Sequence, residues 1–332
     1  MAKRRLIDRV PVVHQLRQSV GLQRGMLIAG LVLTAVFVLC ALLAPWIAPY
    51  SYSQLAGTDG ANFGAQQPPS PEHLLGTTVG GYDVLSRVIW GAQTALLVVV
   101  VAIAMSVFIG ILLGLLSGYL GGWVDRVLVV IADAIYAFPT LLLAIVVAIA
   151  ISGGQSDLRS GIIAAAASIT VVFVPQYFRV VRAEVVRVKS EAFVESAKVI
   201  GASTPRVMFR HVLRNSTRTL PLIVTLNASE AISTLAALGF LGFGIQPTAA
   251  AEWGYDLNKS ISDVAAGIWW TAIPPGIAIV LTILGVTLIG ESLNDLADPR
   301  LRARRRSKAT QTPADAVAAQ QPTAQEFMGE VQ

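Results

Sequence analysis

The stretch Glu191 to Asn215, EAFVESAKVIGASTPRVMFRHVLRN, decides how the rest of the chain is read. It is charged and helix-forming, and it lies between two long apolar runs in a protein whose other charges sit mostly at its ends. Glu191, Ala192, Glu195, Ala197 and Lys198 favour helix, and Gly201 can supply the positive-φ turn that ends it. Thr204 followed by Pro205 suits the cap and first position of a second helix. Along that helix Val207, Met208, Val212 and Leu213 form an apolar stripe, with Arg206, Arg210 and Arg214 on another face. The expectation is a short helix-turn-helix at a membrane surface. Such an element either lies on lipid as an amphipathic segment or presents itself to a partner.

Composition sets the class. Apolar residues make up 54% of the 332 and charged residues only 14%, too much apolar surface for one soluble core. Charge-poor windows long enough for a bilayer, about 20 residues each, fall at Met26 to Ala48, between Arg87 and Asp125, at Ala134 to Ser156, Ser160 to Phe178, Thr219 to Gly244 (interrupted by Glu230) and Val264 to Gly290. Six transmembrane helices are expected. With both termini inside, only Arg87, Arg159 and Lys259 of the 25 basic residues lie outside, beside Asp59, Glu72, Asp83, Asp157, Glu252, Asp256 and Asp263. That asymmetry follows the positive-inside rule and makes both ends cytoplasmic. The basic residues flank spans without an interleaved aromatic patch, so they suit anionic lipid rather than nucleic acid.

The arm Lys3, Arg4, Arg5, Arg9, Arg17 and Arg24 reads as a membrane-surface anchor and not as a signal peptide. Cys40 is the one cysteine, and His14, His73 and His211 lie in separate segments, so no metal site is expected. No GxxxxGK[ST] phosphate loop occurs, so the chain is not expected to hydrolyse ATP or to bind a cofactor itself. Beyond Lys308 the Ala-, Gln-, Thr- and Pro-rich tail is expected to be disordered. The division is thus a cytoplasmic arm 1–25, a first helix 26–48, an external segment 49–90, a five-helix core 91–294 with a cytoplasmic loop 184–216, and a tail 295–332.

The order Glu195-Ser196-Ala197, three residues, Gly201 and then a basic-apolar turn resembles the EAA loop of binding-protein-dependent ABC importer permeases. Other stretches are similar to the C-type subunits of the dipeptide, oligopeptide and nickel branch: ALLAPWIAPY (Ala41 to Tyr50), EHLLGTTVGGYDVLSRVIWGAQTALLVV (Glu72 to Val99), GYLGGWVDRVL, ADAIYAFPTLLLA, GFLGFGIQP-x5-WG (Gly239 to Gly254) and LNDLADPRLR (Leu293 to Arg302). The resemblance implies an all-α polytopic membrane protein with the type I importer permease fold, in the bacterial inner membrane. It implies a second homologous permease, two ATPase subunits carrying ATP and Mg, and an extracytoplasmic substrate-binding protein. Glu191, Glu195, Ser196, Ala197, Gly201, Ala202 and Arg206 would then couple to the ATPases. Asp133, Glu230, Gly239, Gly242 and Gly244 would lie on the path or its gate. Peptides are the implied cargo; nickel chelates or another small solute, or a proton-coupled secondary transporter using Glu230, are the alternatives.

The sequence departs from the family pattern in several places. Arg214 stands for the loop's usual proline, so the second helix can run on unbroken. Thr78 and Tyr82 replace an Asp and an Arg of the segment before the second span. Val130 removes an Arg three residues before Asp133, so no i,i+3 pair serves that carboxylate. Leu235 stands where a Glu is usual, while Glu230 remains open between pore lining, a structural bond and proton coupling. Asp133 and Glu291 read as structural carboxylates near helix ends. Gly110, Gly114 and Gly118 form one small face, for packing within the chain or against a second permease. Pro274-Pro275-Gly276 is expected to kink or break the sixth helix at its start, and Trp253, Trp269 and Trp270 are expected in an aromatic belt.

Overall fold

A computed structural model describes residues 22–57, 60–152 and 158–297; most of the basic arm and nearly all of the tail expected above lie outside them. The chain divides into a unit from Ala29 to Gly290 and a second unit formed by the two ends, described over 22–28 and 291–297, in which Glu291 is exposed. Among the described residues the regular structure is helical, with two isolated β-bridges and no strand.

Among the described residues, five helices are long and apolar enough to cross a bilayer: α1 (Leu22–Ile47), α2 (Val84–Leu120), α5 (Leu158–Lys189), α9 (Leu220–Phe240) and α12 (Ile273–Ala297). A sixth crossing is the pair α3 (Gly122–Tyr136) and α4 (Thr140–Ser152), bent by 99° at the break between them. The expected continuous helix from Ala134 therefore does not form. Pro139 disfavours helical backbone at Phe138 and offers no N–H to the preceding turn.

The pairing of α2 with α5 shows why the bent pair is one crossing. Gly110 lies against Tyr177, Gly114 against Val181 and Gly118 against Val185, so residue numbers rise together and the two helices run parallel. The chain between them must return to the starting side, and α3 with α4 makes that return. Nothing larger than glycine fits the seam: a Cβ on Gly114 would sit 2.9 Å from the Phe178 carbonyl and 3.0 Å from the Arg182 nitrogen, both backbone atoms. The small face thus serves packing within the chain. Higher up the seam the Ser106 and Thr170 hydroxyls cross it, donating to the carbonyls of Thr170 and Ala102 at 3.3 Å each. Close backbone approach of this kind drives helix association in lipid, where burial from water contributes nothing.

α5 runs through Pro175 and continues eleven residues past the expected end at Phe178, where it carries the core residues Val181, Val185 and Val188. At the last span Pro274 and Pro275 fall in the first turn of α12, where their missing N–H groups have no helical partner to lose. They start the helix rather than break it. Before it come the short helices α10 (Trp253–Lys259) and α11 (Ile261–Ala265) and a single 3-10 turn at Trp269–Thr271.

Replacing Gly114 with Val should force the two backbones apart and lower stability by about 1–3 kcal/mol. Gly161, whose added Cβ would meet nothing nearer than 3.8 Å, should accept Ala with little change. Thermal unfolding of the purified variants in detergent measures the difference.

Candidate functional site

The Glu191–Asn215 segment folds as α6 (Ala192–Val199), a turn at Gly201, and α7 (Thr204–Arg206), which continues through a π-helical turn at Val207–Val212 into α8 (Leu213–Ser216). Gly201 has φ +86 with open space beside it, so backbone conformation and not crowding calls for glycine there. Pro205 sits in the first turn of α7. The apolar stripe faces inward, with Val194, Val207 and Val212 fully buried, Met208 nearly so, and Arg206, Arg210 and Arg214 on the exposed side.

α5, which leads into this segment, is fastened at the far end of α2. The Lys189 ammonium donates to the carbonyls of Gly118 at 3.2 Å and Tyr119 at 3.1 Å, two of the acceptors that the end of α2 leaves open. Lys198 lies 5.9 Å from the centre of the Tyr119 ring. Arg182 forks onto Asp125 of α3 at 2.5 and 2.7 Å, and Asp125 also accepts from the Ser117 hydroxyl at 2.5 Å. α2, α3 and α5 are thereby tied together near the start of the segment.

Of the residues singled out in sequence, Glu191, Glu195, Ser196, Gly201 and Arg206 are exposed on this element. Ala197 is 6% exposed and Ala202 half-buried, so these two hold the helix to its seat instead of facing outward. The most prominent surface was not singled out. Val199 and Ile200 are 83% and 84% exposed at the tip of the turn, an apolar pair directly before the turn glycine, which is the signal that could have marked them.

At the opposite end of α2 the structure gathers a second cluster. Arg87, 1% exposed, places Nε 2.7 and 2.9 Å from the two carboxylate oxygens of Asp256 on α10, while one terminal nitrogen donates to the Tyr52 carbonyl at 3.0 Å. Its guanidinium also lies 5.0 Å from the centre of the Tyr82 ring. Asp83 caps α2, accepting from the Ser86 amide at 2.8 Å, with its other oxygen 2.9 Å from His73 Nδ1. Trp253 is buried, its indole N–H donating to the Val88 carbonyl at 3.0 Å, and so is not part of an exposed belt. Trp269 is half-exposed.

Glu252 caps α10, accepting from the amides of Gly254 at 2.8 Å and Tyr255 at 2.7 Å. Burial pushes its carboxyl up to about 8 against the pull of those two donors, and burial likewise raises Asp256 against the pull of Arg87. Gly239 and Gly244 close on this carboxylate: a Cβ on Gly239 would overlap Glu252 Oε2, and one on Gly244 would meet Gly239. Gly242, at φ +85, makes the turn that folds the end of α9 back on itself.

The two remaining candidates lie elsewhere. Asp133, left without an i,i+3 partner by Val130, pairs instead with Arg179 of α5 at 2.6 Å, both half-exposed. Glu230 is exposed on α9 and makes no ion pair among the described residues, whereas Leu235 is buried in the core.

Comparison with known proteins gives the family. Residues 110–303 match the family described as the binding-protein-dependent transport system inner membrane component. The chain belongs to that family. Residues 23–69 match the N-terminal transmembrane domain of oligopeptide transport permease C. The chain is 38% identical over 286 residues to the glutathione transport system permease protein GsiD of Salmonella typhimurium, covering 86% of this chain and 88% of that protein. It is 37% identical over 276 residues to the dipeptide transport system permease protein DppC of Alkalihalophilus pseudofirmus, covering 83% and 86%. This is a multi-pass permease subunit of an ABC importer, an inner-membrane transport component and not an enzyme.

In this permease, Arg87→Met leaves Asp256 buried without its partner and should cost about 3–5 kcal/mol. Replacing both by Met and Leu should cost much less, and a double-mutant cycle on thermal unfolding reads the difference. Glu252 supplies a pH dependence. Its folded value of about 8 lies above the ordinary 4.5, so between these values the folded chain keeps a proton that the unfolded chain gives up. Stability should therefore fall as pH rises through that window, and Glu252→Gln should flatten the fall.

Proposed function

We propose that the permease carries short peptides inward, enclosing the path with a second homologous permease while two ATPase subunits bind the Glu191–Asn215 segment from the cytoplasm. Both termini are cytoplasmic in this reading, and anionic inner-leaflet lipid receives the basic residues beside the spans. An extracytoplasmic binding protein delivers the cargo to the face carrying Arg87 and Glu252. ATP and Mg are bound by the ATPase subunits, and no nucleic acid is involved.

The observation that carries the reading is the form of the segment: an apolar stripe buried within the protein, and an exposed apolar tip at Val199 and Ile200. A segment meant only for lipid would turn its stripe to the membrane, but here the stripe is used up inside the protein. The tip, with Glu191, Glu195, Ser196 and Arg206 around it, is left to dock into an ATPase groove, with Ala197, Gly201 and Ala202 holding its shape. Closure of the ATPases around ATP then moves the segment as a body. Alternation of access follows, because a continuously open path would leak.

Peptide cargo is supported by the relatives, one named for glutathione, itself a tripeptide, and another for dipeptides. The exposed carboxylate of Glu230 is assigned to the path shared with the second permease, since an intramembrane charge needs water or a partner. The doubled-back glycines Gly239, Gly242 and Gly244 are assigned to its external gate. Asp133, paired to Arg179, is assigned to the cytoplasmic mouth.

Val199→Asp with Ile200→Asp should leave the permease folded and inserted but deprive it of its ATPases. Tagged complex purified in mild detergent should lose ATPase subunits at least 10-fold relative to the second permease, and ATP-driven uptake should fall with them. Full retention of the ATPases would overturn the docking assignment.

A further inference from the structure

Beside the Arg87–Asp256 pair lies a cavity of about 480 Å³ whose wall includes Tyr82, Tyr255, Asp256, Lys259, Asp263 and Thr271. Its size falls within the range of about 300–1,000 Å³ usual for small-molecule sites. Its charges are unevenly satisfied. Asp256 is taken by Arg87. Asp263 is 1% exposed; Oδ1 accepts from the Gln66 amide at 2.5 Å, but Oδ2 has no partner although it is buried. Lys259 is exposed, its ammonium 5.4 Å from the centre of the Tyr255 ring, and makes no ion pair among the described residues. The two are four residues apart along nearly continuous helix, close enough to pair, yet they do not.

We propose that this cavity binds a short zwitterionic peptide, its α-ammonium on Asp263 and its α-carboxylate on Lys259. An unsatisfied buried acceptor is costly and a matching donor removes that cost. A purely cationic ligand would leave Lys259 opposed to it, and a purely anionic one would face Asp263. A ligand bearing both charges satisfies both groups, and Tyr82, Tyr255 and Thr271 line the rest of the wall. The site rests on the peptide-importer reading and adds to it a station on the face where cargo arrives, held by this subunit itself.

The test is binding of dialanine to the complete transporter in nanodiscs without ATP, followed by saturation-transfer NMR. Dialanine should bind saturably, and N-acetyl-dialanine at least 10-fold more weakly. Asp263→Asn, which keeps the Gln66 bond, should weaken dialanine at least 10-fold, and Lys259→Gln should abolish the preference for dialanine over its C-terminal amide. If Asp263→Asn does not assemble, Ser262→Trp, placed at an exposed wall position, should block binding by filling the cavity. Equal binding by parent and variants, or by the acetylated peptide, would overturn the assignment. So would a lysine of the binding protein crosslinking to Ser262→Cys with no protection by dialanine. ATP-driven uptake of dialanine and glutathione by the parent in proteoliposomes separates the two levels: uptake without the binding effects sinks the cavity alone, and uptake of neither sinks the peptide reading beneath it.

Discussion

The structure depends on how closely α2 and α5 approach. Two helices of 37 and 32 residues run parallel along a seam of Gly110, Gly114 and Gly118, backbone against backbone. In lipid there is no release of water to hold such a pair, so contact area and cross-seam hydroxyl bonds must do it. Parallel packing also dictates the rest of the topology. The chain has to come back between the two helices, and the bent α3–α4 pair does so.

Each functional cluster is fastened to an end of this pair. At one end the Lys189 ammonium of α5 closes the open carbonyls of α2, and Arg182 of α5 with Asp125 ties in α3, so the Glu191–Asn215 segment leaves from a helix fastened to two others. At the other end Arg87 reaches from α2 to α10, and Glu252 holds α10 against the glycine turn at the end of α9. A displacement at the Glu191–Asn215 segment has no soft joint to be lost in along the seam. It can reach the opposite face as a rigid-body movement, the kind of transition that interlocked cores permit more readily than gradual bending.

Much of this was legible in the sequence, and what was not has physical reasons. Long apolar windows, the turn glycine at 201, the stripe from Val207 to Leu213 and the small face on α2 each carry a local signature. The bend at Pro139 was hidden by the apolar run on both sides of it, which hydropathy alone reads as one span. Arg87 read as a stray outer charge because its partner Asp256 is 169 residues away, and no local pattern announces such a pair. Trp253 read as a belt residue because nothing near it in sequence shows that its indole N–H is spoken for by Val88. The exposed tip of Val199 and Ile200 escaped notice for the opposite reason, since apolar side chains are assumed buried until a structure shows otherwise.

The claim on which the rest stands is that α2 and α5 move as one body from the coupling tip to the Arg87 layer. The most direct measurement is a spin-label distance within one chain of the complete transporter, between Arg210→Cys on the exposed side of the segment and Leu97→Cys with Cys40 replaced by Ser, recorded without nucleotide and with trapped ATP. A rigid pair predicts the same distance distribution in both states, while labels on this permease and its neighbour change separation. A shift of several ångströms within the chain would contradict it and place the moving joint between the coupling segment and the seam.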